Sequence, residues 1–335
     1  MFLLHLPLRL CHIAVGYVLW LGLVLAGQGA VAQSFPLTID HAFGATTIMA
    51  RPERVATVAW ANHEVPLALG IVPVGMARAN FGDDDGDGLL PWVSQRLAEL
   101  DAKPPVLFDE GDGIDFEAVA ETRPDVILAA YSGLTQADYE MLSRIAPVVP
   151  YRRAPWATDW REMITLNGTA LGLASETSAL IAEIEAQIAD TMARYPELVG
   201  KTAMFVTHLD IRDLSMIRFY TAHDTRVKFF ADLGLATPQS VVEAGTDGSY
   251  SGQISAERID ELADVDILVS YGGAALLDRI RKNLLTAHMK SIRNDAVVLL
   301  SNDPLGTAAN PTPLSIPYVL ESYVALLADA ARKTQ

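Results

Sequence analysis

Short apolar runs that alternate with helix-like stretches constrain the fold of this chain more than any other feature of its sequence. The runs lie at residues 55–59, 72–76, 125–130 and 147–150, and again at 202–206, 266–270 and 296–300. Helix-like segments separate the runs. Strands that alternate with helices favour a parallel sheet in an α/β fold, because the helix returns the chain to the edge where the previous strand began.

The two halves of the chain also resemble each other in detail. Residues 114–121 (IDFEAVAE) align with residues 254–261 (ISAERIDE) at an offset of 140, with identical Ile, Glu and Glu and with Val opposite Ile. One residue further on, Asp125 and the apolar run after it align with Asp266 and its run. A repeat of this length predicts two lobes of one design, an N-terminal lobe over residues 33–157 and a C-terminal lobe over residues 200–335.

A helical segment, residues 158–199, separates the two predicted lobes. Within it, residues 176–195 contain neither Gly nor Pro and carry apolar side chains at helical spacing. A helix of that length spans about 30 Å, because each residue adds about 1.5 Å. The sequence therefore predicts an α/β fold of two Rossmann-like lobes, each with a central, mostly parallel sheet, joined by one long interlobe helix. Such a pair of lobes offers a ligand-binding cleft.

The N-terminal segment has the order of a secretory signal peptide. Arg9 is its only full charge before an uncharged apolar run at residues 13–26, and Ala-Val-Ala follows at 30–32. The run is shorter than the roughly 20 residues of a membrane span. We expect cleavage after Ala32 and export. Cys11 would then be lost with the peptide, which would exclude disulfides, thiolate nucleophiles and cysteine metal sites from the mature chain.

The charge balance and the absence of motifs exclude several classes of function. With 25 Lys and Arg against 41 Asp and Glu, the chain has a net charge of −16. That charge argues against binding to nucleic acid or to an anionic membrane surface, although it leaves room for a local basic patch. The sequence contains no G-x-S-x-G, no H-E-x-x-H and no phosphate loop. An exported hydrolase is therefore the weaker alternative to a protein without enzymatic activity.

Three stretches carry a resemblance to a known family. They are residues 37–48 (LTIDHAFGATTI) with RPERV at 51–55, residues 113–120 (GIDFEAVA) leading into RPDVIL at 123–128, and residues 142–149 (LSRIAPVV). In their order and spacing, the chain resembles the periplasmic ferric-siderophore-binding proteins of ABC importers over residues 36–330.

The resemblance implies a monomeric periplasmic protein that captures a ferric siderophore between its lobes, moves little at the hinge and delivers the ligand to an ABC permease in the inner membrane. It implies no catalysis and no cofactor. A haem- or corrinoid-binding protein of the same fold is the alternative. The class of siderophore, whether hydroxamate, catecholate or carboxylate, stays open at this point.

The chemistry of such a ligand selects candidate site residues. Iron(III) is satisfied by the siderophore's own oxygens, so the protein needs no direct metal ligands, only aromatic walls and cations against an anionic chelate. Side chains on loops after strand ends fit that role. The aromatic candidates are Trp60, Phe81, Tyr131, Tyr151, Trp156, Tyr220, Tyr250 and Tyr271, and the cationic candidates are Arg78, Arg152, Arg153, Arg212 and Arg218. Among the cations, we expect Arg78 and Arg218 to contribute most.

Glu117 and Glu257 are one pair of acids that the internal repeat places at identical positions, one in each lobe. Each opens a helix-like segment, where a carboxylate also suits the helix dipole. The family resemblance implies a second role, because its members carry one permease-docking glutamate per lobe at these motif positions.

An acidic loop and the scattered histidines complete the sequence signals. Residues 82–88 (GDDDGDG) begin like a calcium loop, but Ser94 stands at the twelfth position, where such a loop has a bidentate Glu. We expect a solvated acidic loop, and calcium binding stays open. The five histidines after residue 33 are His41, His63, His208, His223 and His288. Their scatter does not favour a transition-metal site.

Overall fold

The computed structural model of the protein describes residues 34–207 and 213–334. The predicted signal peptide with its cleavage site, together with His208 and Arg212, lies outside these residues. Within the described ranges, no helix combines the length and the apolar character needed to cross a bilayer.

The described chain contains twelve strands and twelve α-helices. The strands are β1 (Leu37–His41), β2 (Gly44–Ile48), β3 (Val55–Thr57), β4 (Gly75–Ala77), β5 (Val106–Phe108), β6 (Val126–Ala129), β7 (Val148–Pro150), β8 (Ala203–Val206), β9 (Met216–Tyr220), β10 (Ser251–Ser255), β11 (Ile267–Tyr271) and β12 (Val297–Leu300). The helices are α1 (Glu64–Ala68), α2 (Pro91–Glu99), α3 (Phe116–Glu121), α4 (Gln136–Leu142), α5 (Trp160–Ala170), α6 (Ala174–Met192), α7 (Thr225–Asp232), α8 (Gln239–Ala244), α9 (Ala274–Lys282), α10 (Lys290–Arg293), α11 (Pro304–Ala308) and α12 (Ser315–Arg332). Short 3₁₀ segments occur at Pro196–Leu198, Ala256–Leu262 and Thr286–His288.

Each lobe is built on one five-stranded sheet. The order is β5-β4-β3-β6-β7 in the N-terminal lobe and β10-β9-β8-β11-β12 in the C-terminal lobe, so each sheet places its strands third, second, first, fourth and fifth in chain order. The first sheet is entirely parallel, whereas β9 runs antiparallel to both of its neighbours. The predicted fold class is confirmed, and the shared strand order agrees with the repeat found in the sequence.

The strands that the sequence did not predict are mostly at sheet edges. β5 and β10 are edge strands whose residues are partly exposed, so they lack the continuous apolar run of a strand covered on both faces. β9 alternates between buried and exposed residues. In contrast, β6, β8 and β11 are buried throughout, which explains why their apolar runs were visible.

The helical segment between the lobes forms two helices. α5 begins at the N-cap Asp159, whose side chain accepts a hydrogen bond from the Glu162 backbone N–H at 2.9 Å. It packs against α1, β1 and β7 of the first lobe. α6 is the long helix predicted at residues 176–195, and it packs against α5 on one side and α12 on the other. α12 in turn packs against β11 and β12.

Apolar and polar contacts both join the lobes. One buried cluster contains Leu128 of β6, Phe205 of β8 and Val269 of β11, so the two sheets share a continuous apolar core. Because wide separation of the lobes would expose that core to water, its packing opposes a large opening motion.

Glu64, at the start of α1, is fully buried and forms polar contacts with the segment that leads into α12. Its carboxylate accepts hydrogen bonds from Trp92 Nε1 at 2.8 Å, from the Leu314 backbone N–H at 3.1 Å and from the Thr312 hydroxyl. The last two donors directly precede α12, so Glu64 holds the beginning of that helix against the first lobe. Burial raises the pKa of Glu64 to about 7, although the hydrogen bonds lower it in part.

Candidate functional site

A cavity of about 300 Å³ opens where the carboxyl ends of the strands of both lobes meet. In each sheet, two adjacent strands whose connections run in opposite directions (β3 and β6, β8 and β11) leave a crevice beyond their carboxyl ends, where α/β folds bind ligands. The cavity is lined by Trp60, Phe81, Tyr131, Trp156, Tyr220, Asp224, Arg226, Tyr250, Tyr271, Thr307 and Asn310.

Trp60 is held by the loop that follows β3. Ala59 and Ala61, its two neighbours, have φ angles of 60° and 59°, a left-handed conformation that residues other than glycine rarely adopt. The carboxylate of Glu110 accepts a hydrogen bond from the Ala59 backbone N–H at 2.9 Å. Burial raises the pKa of Glu110 to about 7. The loop thus fixes the direction of the indole through its backbone.

Asn62 ties the ends of β3 and β6 together. Its Nδ2 donates to the carbonyl oxygens of Val58 and Tyr131, at 2.9 Å in both cases, and its Oδ1 accepts from the Tyr131 backbone N–H at 3.0 Å. Because the side chain is fully buried, these bonds face no competition from solvent. Asn62 therefore positions both Trp60 and Tyr131 without lining the cavity itself.

Trp156 completes the aromatic wall of the first lobe. Its φ is 59°, and its backbone N–H donates to the Ser132 carbonyl oxygen at 3.0 Å. The ring meets Tyr131 edge-on, with centroids 5.3 Å apart. It also lies directly over Gly133, where an added Cβ would come within 2.5 Å of the indole Nε1. Only glycine at 133 therefore allows the indole this position.

The second lobe contributes an ion pair to the cavity. Asp224 caps α7, accepting a hydrogen bond from the Arg226 backbone N–H at 2.8 Å. Its carboxylate also holds the Arg226 guanidinium, with Nη1 2.9 Å from Oδ2. The side chains are 1% and 15% exposed, respectively. Burial alone would lower the pKa of Arg226, but Asp224 and the nearby tyrosines raise it well above its ordinary value, so the guanidinium stays charged.

Tyrosines surround the guanidinium. Arg226 Nε donates to the Tyr271 hydroxyl at 3.1 Å, and the guanidinium carbon lies 4.4 Å from the centroid of the Tyr220 ring. Burial raises the pKa of Tyr220 to about 12, which keeps this hydroxyl protonated. Phe81 of the first lobe meets Tyr271 edge-on at 5.6 Å, so an aromatic contact crosses the cavity.

Thr307 and Asn310 reach the cavity from the segment that follows β12. Asn310 Nδ2 donates to the Tyr131 hydroxyl at 3.3 Å, which links the two lobes. Its buried Oδ1 has no hydrogen-bond partner among the described residues. A buried acceptor without a partner carries a cost in free energy.

The structure brings most of the aromatic candidates together but separates them from the cationic candidates. Seven of the eight predicted aromatic residues line the cavity. The exception is Tyr151, which is buried in the first lobe, where its hydroxyl donates to the Leu134 carbonyl oxygen at 2.8 Å. Arg78 is exposed and lines an adjoining pocket, where its Nη2 lies 3.4 Å from the Gly86 carbonyl oxygen. Arg218 is also exposed and lines another pocket beside Tyr220 and Tyr250. Arg152 and Arg153 are exposed and do not line the cavity.

The sequence did not predict four of the lining residues: Asp224, Arg226, Thr307 and Asn310. The available signal for Arg226 is the Asp-Thr-Arg sequence at residues 224–226, where an N-cap aspartate can also pair with the arginine two residues on. Arg226 lies in the first turn of α7, whereas the predicted candidates follow the ends of strands. Thr307 and Asn310 had no comparable signal, because the tertiary structure alone brings the residue 304–310 segment across to Tyr131.

The acidic loop and the four described histidines are not among the residues that line the cavity. Asp83, Asp85 and Asp87 offer carboxylate oxygens within 4.8 Å of one another, and Asp85 and Asp87 are exposed. Asp83 accepts hydrogen bonds from the Gly86 and Gly88 backbone N–H groups. This arrangement agrees with the expected solvated acidic loop.

Both predicted docking acids are exposed at equivalent places in the two lobes. Glu117 lies in the first turn of α3, which follows the edge strand β5, and Glu257 lies in the first turn of the 3₁₀ segment that follows the edge strand β10. Asp115 and Ser255 cap these two segments through their side chains. In the described chain, neither glutamate forms an ion pair.

Comparisons with known proteins give this geometry a context. The model of a family described as periplasmic binding protein matches residues 55–304. The chain is 25% identical over 259 residues to the probable siderophore-binding lipoprotein YfiY of Bacillus subtilis (strain 168), an alignment that covers 77% of this chain and 75% of that protein.

Solved structures are similar as well. The crystal structure of PiaA from Streptococcus pneumoniae TIGR4 in complex with ferrichrome matches with a TM-score of 0.86 and 42% identity, covering 89% of this chain and 99% of that one. A periplasmic solute binding protein from Mycobacterium smegmatis str. MC2 155 matches with a TM-score of 0.72 and 26% identity, covering 88% and 98%.

Proposed function

We propose, from the premise that the chain belongs to the periplasmic binding protein family, that it captures a ferric siderophore in the interlobe cavity and delivers it to an ABC permease. The family predicted from the sequence is confirmed. The observation that carries the proposal is the aromatic cavity around Arg226, in a chain 42% identical to PiaA, which was crystallised with ferrichrome. Such walls suit a ligand that brings its own iron ligands.

The charge of the cavity favours a hydroxamate siderophore. Asp224 already neutralises Arg226, so the site offers directed N–H donors with no net positive charge. Three hydroxamate groups likewise neutralise iron(III), and their oxygens accept hydrogen bonds. A catecholate complex carries a large negative charge, which a site without excess cations would bind less well. Ferrichrome, the ligand in the similar structure, is therefore the first candidate.

The site would bind its ligand without converting it. Its polar groups hydrogen-bond to one another, as Asp224 and Arg226 do.

The mature protein would act outside the cytoplasmic membrane as a monomer, after loss of residues 1–32. Mass spectrometry of the exported protein tests the location of cleavage. An N-terminus near Gln33 is the expected result, and a retained leader would contradict it.

A quenching titration of the tryptophan fluorescence tests the choice of ligand. Trp60 and Trp156 line the cavity, so a bound iron complex should quench them. The panel is ferrichrome, iron-free ferrichrome, a ferric catecholate, staphyloferrin B with iron, haem and cobalamin. We expect saturable quenching with ferrichrome at the lowest concentration. Tighter binding of haem or cobalamin would replace the siderophore proposal, and turnover of broad ester or glycoside substrates would favour an enzyme.

We also propose that Glu117 and Glu257 dock the protein on its permease. They are exposed, equivalent by topology and separated by a rigid pair of lobes, so they could meet two cationic clusters on a two-fold symmetric partner. An exposed ion pair contributes only about 0.2–1 kcal/mol, so the pair would set the register of docking and the surrounding surface would supply most of the affinity.

A double variant separates docking from ligand binding. Glu117→Ala with Glu257→Ala should leave the ferrichrome affinity unchanged and reduce uptake of labelled ferrichrome into cells. The matched control is Glu121→Ala with Glu261→Ala, the pair that the same repeat places one turn further on. Uptake at the wild-type rate with normal protein levels would assign the first pair a purely local role at the helix starts.

A further inference from the structure

The last residues of α9, the turn after it and α10 together form residues 279–293, which we call the basic turn. Its surface is unusual for so acidic a chain. Residues 279–293 hold five of the 25 lysines and arginines and no acidic residue. Arg281 and Lys290 pair with Asp295 and Asp266. The other three cations, Arg279, Lys282 and Arg293, are exposed and form no ion pair with any described residue.

A leucine protrudes from the middle of these cations. Leu284 is 84% exposed and Leu285 is 39% exposed. The exposure of Leu284 is built into the turn, because Asn283 Oδ1 accepts hydrogen bonds from the backbone N–H groups of Leu285 and Thr286, both at 3.0 Å. The Thr286 hydroxyl in turn donates to the Ile280 carbonyl oxygen at 2.7 Å. The turn therefore holds an apolar side chain in water, at a cost in hydration free energy.

The topology places this turn at the end of the lobe opposite the cavity. β11 and β12 are parallel, so the chain between them must return to the edge where strands begin. Tyr271, at the carboxyl end of β11, lines the cavity, whereas Lys282 lies at the far end of the returning helix α9. The turn thus contributes no residue to the cavity lining. Its 3₁₀ segment Thr286–His288 packs against the segment Ala256–Leu262.

We propose that this basic turn, residues 279–293, is a contact surface for an anionic lipid bilayer. A bilayer surface offers a plane of negative headgroups above an apolar interior, and the turn presents cations around one apolar tip. Each Lys or Arg near such a surface adds to the attraction over about one Debye length, and Leu284 would enter the region of the acyl chains. The net charge of −16 repels the rest of the molecule, so contact is confined to this end.

The shape of the turn favours a bilayer over an acidic protein partner. A stable protein interface needs roughly 800 Å² from each partner, with apolar residues at its centre and a complementary surface opposite. The turn offers a convex tip with one strongly exposed apolar side chain, which suits a fluid surface that deforms around it. An acidic protein partner is the outcome that would replace the proposal.

Vesicle sedimentation tests the contact without siderophore or permease. The purified exported protein is mixed with vesicles of phosphatidylcholine alone or with one third phosphatidylglycerol, at low and at physiological salt. We expect binding only to the anionic vesicles, with weaker binding at higher salt. Arg279→Gln, Lys282→Gln and Arg293→Gln together should weaken that binding at least about 10-fold, and Leu284→Ser alone about 5-fold.

A charge-matched control separates the turn from net charge. Arg51→Gln, Lys103→Gln and Arg144→Gln together remove three exposed cations from the first lobe and change the net charge equally. This control should bind vesicles no more than about 2-fold more weakly than wild type. Equal binding of the wild-type protein to neutral and anionic vesicles, or equal losses in both triple variants, would overturn the proposal. Unchanged melting temperatures and ferrichrome titrations confirm that each variant is folded.

Discussion

The two walls of the cavity use different physical means to present aromatic side chains. In the first lobe, Trp60 and Trp156 are held through their backbones, by left-handed residues and by hydrogen bonds to loop ends. In the second lobe, Tyr220 and Tyr271 gather around the guanidinium of Arg226. The first wall is a neutral apolar surface, and the second is organised by a charge.

The lobes also bury a carboxylate each in different surroundings. Asp224 pairs with Arg226, whereas Glu64 has only neutral hydrogen-bond donors: Trp92, Thr312 and Leu314. Removal of a partner should therefore leave an uncompensated charge in the second lobe but not in the first. The second lobe, with its buried ion pair, should therefore lose more stability than the first when one partner of its buried carboxylate is removed.

Arg226→Ala should have the largest effect. It leaves Asp224 buried without its cation, which costs about 3–5 kcal/mol of unfolding free energy. It also removes a charge-assisted donor from the cavity, so ferrichrome affinity should fall about 10- to 100-fold. Urea unfolding and the fluorescence titration measure the two effects.

A double variant separates the loss of unfolding free energy from the loss of ferrichrome affinity. Asp224→Asn with Arg226→Gln has no buried charge left, so most of the stability should return while the affinity stays low. If Arg226→Ala alone unfolds at the wild-type urea concentration, the ion pair does not organise this wall.

Glu64→Gln should change how stability depends on pH. The folded-state pKa of Glu64 is raised to about 7 from 4.5, so the group favours the native state fully below pH 4.5, and that contribution is lost as the pH rises through 7. Gln does not titrate. The stability of the variant relative to wild type should therefore rise by about 3 kcal/mol between pH 4 and 8.

Urea unfolding of both proteins at a series of pH values measures this difference. Taking the difference cancels the opposite slope from His63, whose pKa burial lowers to about 4. A difference that stays constant with pH would mean that the pKa of Glu64 is the same in the folded and unfolded states, so that its hydrogen bonds offset its burial.

Gly133→Ala tests whether the first wall depends on the placement of Trp156. The new Cβ would come within 2.5 Å of the indole Nε1, so the ring must move. We expect an affinity loss of about 10-fold with a modest change in stability, read from the titration and the near-ultraviolet circular dichroism. Gly273→Ala, where nothing lies within 4 Å of the added Cβ, is the control in the other lobe. Equal affinities for both variants would contradict a tightly placed Trp156.

Arg78→Ala and Arg218→Ala should have the smallest effects. Both arginines are exposed and border pockets beside the cavity, so they remain candidates for contact with the outer part of a ligand. A solvated charge contributes about 0.2–1 kcal/mol, and the loss of affinity should stay within about 5-fold for each. A loss as large as that for Arg226→Ala would mean that the ligand extends over the rim.

The sequence by itself determined the two lobes and the aromatic half of the site. Buried parallel strands such as β6 and β11 need continuous apolar runs, and the side chains after those runs, such as Tyr131, must lie at the sheet edge where ligands bind. Periodicity and position along the chain carry this information because neighbours in sequence determine it.

Only the tertiary structure decided where the charge lies. Arg226 enters the cavity because Asp224 compensates for its burial and because tyrosines from β9 and β11 enclose it. Asn310 arrives from a segment 179 residues beyond Tyr131. Burial of a charge depends on partners distant in sequence. Arg78, directly after β4, and Arg218, which lies within β9 and not after a strand as predicted, are therefore as visible in the sequence as Arg226 but remain in solvent.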